Sequence, residues 1–222
     1  RQNLLREGVS DDAITVTGNT VIDALQLALR KMEDDPGLSQ AADALLPELD
    51  ADRPTILVTG HRRESFGAGF ERICQGLKRV ADERDVQIIY PVHLNPKVQT
   101  PVRAILGNNP NVHLIEPLDY LPFVRIMSRS TLIVTDSGGV QEEAPSLGIP
   151  VLVMRDTTER PEAVEAGTVR LVGSDTDRII EEITTLLSDK NAYQKMARAV
   201  NPYGDGLASG RIAKVLQEVT HA

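Results

Sequence analysis

Four short runs of this sequence place anion-handling and hydroxyl-handling residues just after stretches that read as strands. The clearest is Leu132-Ile133-Val134-Thr135-Asp136-Ser137-Gly138-Gly139-Val140-Gln141-Glu142-Glu143. Two glycines behind a strand let backbone approach an anion closely, and a helix starting there adds unpaired amides and a favourable dipole. Glu143 follows Gly139 by one turn on the same helix face, where a carboxylate can accept from two neighbouring sugar hydroxyls. In Thr59-Gly60-His61-Arg62-Arg63-Glu64-Ser65-Phe66-Gly67 three potential cations stand in a row, and His61 can change protonation near neutral pH. In Val153-Met154-Arg155-Asp156-Thr157-Thr158-Glu159-Arg160-Pro161-Glu162, Pro161 suits a first helical position and sets Arg160 at that helix start. Pro117-Leu118-Asp119-Tyr120-Leu121-Pro122-Phe123 supplies Phe123, able to cover a flat base in a chain with 4 Tyr, 3 Phe and no Trp. In open α/β sheets ligands bind beyond the carboxyl ends of strands. A base, a ribose and a diphosphate are the ligand these loops suit together, hence a nucleotide or nucleotide-sugar. The residues alone leave the plainer alternatives open: a tight glycine turn with Glu143 solvated, a solvated basic loop, surface ion pairs around Arg160, and Phe123 as core.

Other chemistries are excluded by what the motifs lack. Gly67-Ala68-Gly69 begins like a dinucleotide fingerprint, but Arg72 stands where the third glycine belongs, and no Gly-Lys pair makes a phosphate-binding P-loop. Thr135-Asp136-Ser137-Gly138-Gly139 resembles a serine-protease nucleophile run only superficially; the Gly-x-Ser-x-Gly elbow is missing. His61, His93, His113 and His221 have no metal-ligand spacing, so neither metal nor cofactor is expected. His113 reads as a packed, hydrogen-bonded strand residue and His221 as part of a tail. The balance of 24 Lys+Arg against 32 Asp+Glu, a net charge of −8, argues against a nucleic-acid partner. The single cysteine, Cys74, excludes an intrachain disulfide framework. With no apolar run long enough to cross a bilayer and no signal peptide, a cytoplasmic protein is expected.

The elements that must position these loops are legible as alternation. Apolar runs at 55–59, 86–90, 112–115, 132–135, 151–153 and 169–172 are separated by segments of helical period. Phe70, Ile73, Cys74, Leu77 and Val80 mark one helix. Ile179, Ile180, Ile183, Leu186 and Leu187 mark another, with Ser174 and Asp177 as its capping start. The expected fold is therefore α/β: a Rossmann-like parallel sheet with helices on both faces, in six βα units over residues 21–222. Residues 1–20 read as a helix and a strand-like piece at Ile14 to Thr17. Val21, Ile22, Leu25, Ala28 and Met32 mark the next helix, stopped by Asp34-Asp35-Pro36-Gly37. After a loop at 201–206, Ile212, Val215, Leu216 and Val219 mark a last helix. The chain starts at Arg1 without Met, inside a helical pattern, as a piece of a longer protein would.

The runs Thr59 to Glu64, Pro91-Val92-His93, Thr135 to Pro145 and Arg155 to Ala163 resemble the non-hydrolysing UDP-N-acetylglucosamine 2-epimerases of bacteria. That resemblance implies half of a two-domain fold of the B-type glycosyltransferase kind. Residues 1–20 would be the end of the preceding domain and the crossing from it, and 21–222 the UDP-binding domain. It implies interconversion of UDP-GlcNAc and UDP-ManNAc by elimination and re-addition of UDP, serving cell-envelope polysaccharides. By position, His61 matches a substrate contact supporting the leaving diphosphate. Ser137, Gly138 and Gly139 match the diphosphate-binding run, Glu143 the ribose carboxylate, Phe123 a uridine contact and Arg160 a substrate contact. Arg62 and His93 match part of an allosteric site for a second UDP-GlcNAc. The family's proton-transfer acids belong to the domain before residue 1, so the isolated chain is expected to be inactive. The family is usually homodimeric, without metal or redox cofactor. The rival readings are a hydrolysing 2-epimerase, a B-type glycosyltransferase, or a non-catalytic nucleotide-sugar binding module.

Overall fold

The computed structural model describes residues 1–220, with side chains to Glu218; His221 and the side chain of Val219 lie outside the described residues. The chain opens with α1 (Gln2–Arg6) and a single 3-10 turn at Asp11–Ala13. The expected strand-like piece at Ile14 to Thr17 is irregular chain outside the sheet. Arg1 donates to the Ile14 carbonyl at 2.9 Å, and Ile14 itself is buried. The Ile14 amide bonds the Asp11 carbonyl of the 3-10 turn and the Thr17 carbonyl accepts from the Arg211 side chain, so its β-branched residues do not make this segment a strand.

Helix α2 (Thr20–Asp34) is capped by Asn19, whose side chain accepts from the Val21 amide, and it buries Ile22, Leu25, Ala28 and Met32. The Asp34 to Gly37 breaker ends α2 as expected, and Asp35 at once caps a second helix, α3 (Pro36–Asp43), with proline in its first turn. The six units follow: β1 (Thr55–Thr59), α4 (Ala68–Glu83), β2 (Gln87–Pro91), α5 (Pro96–Leu106), β3 (Val112–Ile115), α6 (Tyr120–Ser128), β4 (Leu132–Thr135), α7 (Gly138–Glu143), β5 (Val151–Val153), α8 (Pro161–Ala166), β6 (Val169–Leu171) and α9 (Thr176–Ser188). Helices α10 (Lys190–Ala197) and α11 (Ala208–Thr220) close the described chain.

Several boundaries shift from expectation: β2 runs on to Pro91 rather than ending at Tyr90, and β6 ends at Leu171 rather than Val172. Strand β2 starts one residue late, because the Val86 amide bonds Arg84 within the preceding turn. The cap of α9 is Asp175, which accepts from the Arg178 amide, rather than Ser174 or Asp177. Ser174 instead accepts from Arg72 through its carbonyl and hydroxyl, and Asp177 pairs with Arg79 at the surface.

All five strand pairings are parallel, in the order β3-β2-β1-β4-β5-β6. Side chains alternate across the strands, so each face feeds its own core. Ile56, Val58, Ile88, Tyr90, Leu132 and Val134 point to one cluster, closed by Phe70, Ile73 and Leu77 of α4, Val98 and Val102 of α5, and Ile179 and Ile183 of α9. Leu57, Ile89, Ile133, Val151 and Val153 point to the other, closed by Leu25 of α2, Val124 and Met127 of α6, and Val140 of α7. The expectation of helices on both faces holds. The order reverses between β1 and β4, which opens a crevice at their carboxyl ends.

Candidate active site

The crevice is a cavity of about 290 Å³ lined by Thr59, Gly60, His61, Pro91, His93, Pro117, Leu118, Phe123, Ser137, Gly139, Val140 and Glu143. Loops after β1, β2, β3 and β4 thus meet in one place. Of the residues singled out in sequence, His61, His93, Phe123, Ser137, Gly139 and Glu143 line it directly. Gly138, Arg62 and Arg160 lie at its edge. A Cβ placed on Gly138 would sit 3.7 Å from Arg160 Nη2 and 3.8 Å from Arg62 Nη2, so both guanidinium groups close on the glycine pair.

The loop after β4 is built to leave amides free. Thr59 and Thr135 join their hydroxyls at 2.5 Å across the β1–β4 ladder, and Thr135 Oγ1 accepts from the Ser137 amide at 2.9 Å. The Ser137 amide is therefore occupied. Its hydroxyl and the first-turn amides of Gly138 and Gly139 are the groups left for an anion. On the other wall, Asp136 Oδ2 accepts from the amides of His61 and Arg62 at 2.7 Å each, and its Oδ1 lies 3.5 Å from His61 Nδ1. The rings of His61 and His93 stack with centroids 5.3 Å apart. Below them the Tyr90 hydroxyl donates to the Gly60 carbonyl at 3.1 Å, with burial pushing its pKa up.

Glu143 is buried, which raises its pKa above the usual carboxylate range; the Tyr120 hydroxyl, donating to its Oε1 at 2.9 Å, works the other way. Arg160 caps α8 ahead of Pro161, as the sequence suggested, and its Nε pairs with the buried Glu142. Glu142 Oε2 in turn accepts from Asn19 at 2.7 Å. Thr158 bridges to the same place, donating to Gln141 at 2.7 Å and accepting from the Arg160 amide at 3.0 Å. Arg155 is buried and pairs with both Glu64 and Glu159, tying the β1 loop to the β5 loop. That guanidinium, with Arg62 beyond it, holds Glu159 down to about 2. Among the described residues no group of three or more His, Cys, Asp or Glu is arranged to hold a metal ion, and no helix is long and apolar enough to cross a membrane.

Residues 1–217 match the family model described as UDP-N-acetylglucosamine 2-epimerase. The chain belongs to this family. It is 61% identical over 218 residues to the UDP-N-acetylglucosamine 2-epimerase of Escherichia coli K12, which covers 98% of this chain and 58% of that protein. The crystal structure of the Neisseria meningitidis UDP-GlcNAc 2-epimerase bound to UDP-GlcNAc superposes with a TM-score of 0.91 at 49% identity, over 98% of this chain and 58% of that one. Sucrose-phosphate synthase from Thermosynechococcus elongatus, 16% identical, shares the fold over 78% of this chain and 47% of its own, with a TM-score of 0.58. The chain thus spans about 58% of the length of its epimerase relatives, and its fold is one Rossmann-like half of the B-type glycosyltransferase architecture.

Four residues that buttress the lining of this cavity have no role in the sequence motifs: Asp136, Tyr120, Glu142 and Arg155. Asp136 directly follows the fully buried strand Leu132–Thr135, a place where a charge needs partners, and that is the signal by which the sequence could have marked it. Tyr120 and Glu142 had no comparable signal, because their partners are distant in the chain: Glu143 and Asn19 respectively.

Proposed function

We propose that this chain is the UDP-binding half of a UDP-N-acetylglucosamine 2-epimerase, an isomerase that interconverts UDP-GlcNAc and UDP-ManNAc. Residues 21–222 form the nucleotide domain, and residues 1–20 make the crossing from a preceding domain. The observation that supports this most is the meeting of His61, Phe123, Ser137, Gly139 and Glu143 in one cavity, with Arg62 and Arg160 against Gly138. Phe123 covers the uracil, Glu143 takes the ribose hydroxyls, and the Gly138–Gly139 amides with the Ser137 hydroxyl hold the diphosphate.

Expelling UDP from C1 concentrates negative charge on the β-phosphate. Pre-aimed amides, two guanidinium groups and the His61 imidazole at that point stabilise the transition state more than the ground state. Removing the C2 proton needs a general base and its return an acid. Glu143 is the one carboxylate lining the cavity among the described residues, and it is committed to the ribose. The chain alone therefore binds UDP without turnover; the family's acids for proton transfer face this pocket from the other domain. Arg62 and His93 border the diphosphate and take part in binding a second UDP-GlcNAc as activator. The complete enzyme works in the cytoplasm as a homodimer.

A UDP titration followed by amide chemical shifts tests the binding half of this reading. Saturable shifts clustered at 137–143 and 61–62, weakened in Glu143→Gln, are expected. A folded chain without UDP-induced shifts overturns it, and UDP-ManNAc formed by the purified chain overturns the claim of no turnover.

A further inference from the structure

Asp136 is only half bonded. It is 1% exposed, and its Oδ2 is fully used by the amides of His61 and Arg62. Its Oδ1 has no hydrogen-bond partner among the described residues. A buried carboxylate oxygen without a donor is strongly unfavourable. The nearest candidate donor is His61 Nδ1 at 3.5 Å, longer than a formed hydrogen bond but of the kind that tightens once a site is loaded. The other polar groups nearby are already committed. The Tyr90 hydroxyl donates to Gly60, and the Thr59 and Thr135 hydroxyls bond one another. Arg62 pairs with Glu159, and Arg155 with Glu64 and Glu159. His93 stacks on His61 but turns its Nδ1 to accept from the Asn95 amide at 3.1 Å.

We propose that Asp136 is the positioning residue of His61. It selects the neutral imidazole that carries its proton on Nδ1, and it pins the backbone on which the ring stands. Nε2 is then turned away from the carboxylate and toward the cavity. The consequence for chemistry rests on the nucleotide reading above. A ring protonated on both nitrogens bridges the buried carboxylate and a phosphate oxygen, donating to each, so the charge gathering on a departing diphosphate meets a cation already balanced from behind. An Asp that fixes the tautomer and orientation of a working histidine without itself taking the proton serves hydrolases in the same way.

The test uses this chain, uniformly labelled with 15N, and long-range 1H–15N spectra of the imidazole rings, with His61→Gln to assign the His61 signals. In the wild-type chain with the His61 ring neutral, the Nδ1–H form is expected to dominate. In Asp136→Asn the side-chain oxygen keeps the two backbone bonds while the amide NH2 faces Nδ1, so the tautomer shifts to Nε2–H. A wild-type His61 already in the Nε2–H form overturns the proposal without any variant, whether or not Asp136→Asn folds. An unchanged tautomer in a folded Asp136→Asn also overturns it. The same samples separate the two readings. A tautomer flip with no UDP-induced shifts in the wild-type chain leaves the positioning role and removes the nucleotide. UDP-induced shifts at 137–143 with no flip do the reverse.

Discussion

Replacing Gly138 with alanine separates what this glycine does for the fold from what it does for a ligand. Gly138 is the first residue of α7 and does not have a positive φ. An added Cβ meets nothing closer than Arg160 Nη2 at 3.7 Å and Arg62 Nη2 at 3.8 Å, both ordinary contacts with the ends of flexible side chains. The folded chain therefore accepts Gly138→Ala, and the loss of glycine freedom in the unfolded chain adds about 0.4–1 kcal/mol of stability. The methyl group, however, stands between two guanidinium groups, where a phosphate oxygen would bridge them. Excluding that oxygen removes two charge-assisted hydrogen bonds of about 1.5–3 kcal/mol each. Together they amount to about 3–6 kcal/mol, a loss of UDP affinity of more than about a hundredfold. Urea denaturation reads the first effect and calorimetric or chemical-shift titration with UDP reads the second. Undiminished UDP binding would refute the placement of the diphosphate at Gly138. A marked fall in stability would show that the glycine serves the turn rather than a ligand.

Gly60→Ala is expected to do the opposite and act on the fold, because its Cβ would meet the buried Tyr90 hydroxyl at 2.9 Å and Met154 Cε at 3.2 Å. Overpacking of this kind lowers stability by about 1–3 kcal/mol, visible in a denaturant midpoint. Arg155→Met removes a buried cation whose two carboxylate partners are about half exposed. Water screens those partners once freed, so the expected loss is also about 1–3 kcal/mol, or several degrees of Tm. The pH dependence of that difference follows from Glu159, whose pKa is held at about 2 against about 4.3 unfolded. Its stabilising share is present above about pH 4.3 and lost as pH falls toward 2, so the gap between wild type and Arg155→Met should narrow there. Glu143 has the opposite sign: burial raises its pKa, so its ionisation opposes folding as pH rises from about 4.3 through the folded value. Glu143→Gln should flatten that limb of a stability–pH curve while weakening UDP binding.

The four strands Thr55–Thr59, Val112–Ile115, Leu132–Thr135 and Val151–Val153 were readable to the residue because each is a short apolar run between polar turns. Three of them, Thr55–Thr59, Leu132–Thr135 and Val151–Val153, are buried on both faces, which leaves no polar face to confuse the pattern; the edge strand Val112–Ile115 is half-buried and carries His113. The site loops were readable for a related reason: each follows a strand, and the parallel sheet brings all strand ends to one rim. Local composition failed where partners lie far off in sequence. Ile14 to Thr17 has strand-like residues, yet no edge of the sheet is there to receive it. Ser174 looked like a cap, but Arg72 takes it, and the cap passes to Asp175. Local pairing also hid one feature: the Ser137 amide belongs to the glycine run in sequence but is spent on the hydroxyl of Thr135, two residues before it. Asp136, Tyr120 and Glu142 act through side chains whose roles depend on three-dimensional pairing, which no periodicity reports.

The β1–β4 ladder has a consequence for how the pocket comes into being. Thr59 and Thr135, which meet there, are 76 residues apart in sequence, while the other four strand pairings join residues at less than half that separation. Chain closure over so long a loop is entropically slow relative to the local βαβ units. The β3-β2-β1 and β4-β5-β6 halves can each assemble from near neighbours, so the seam between them is expected to close after the local pairings. His61 stands on one side of that seam and Ser137 to Glu143 on the other. A partly assembled chain therefore has both walls but no pocket. A ligand that spans the seam binds only molecules in which it has closed, and it adds to what α9 packed on α4 and the Arg155–Glu64 pair already do to hold the two halves together.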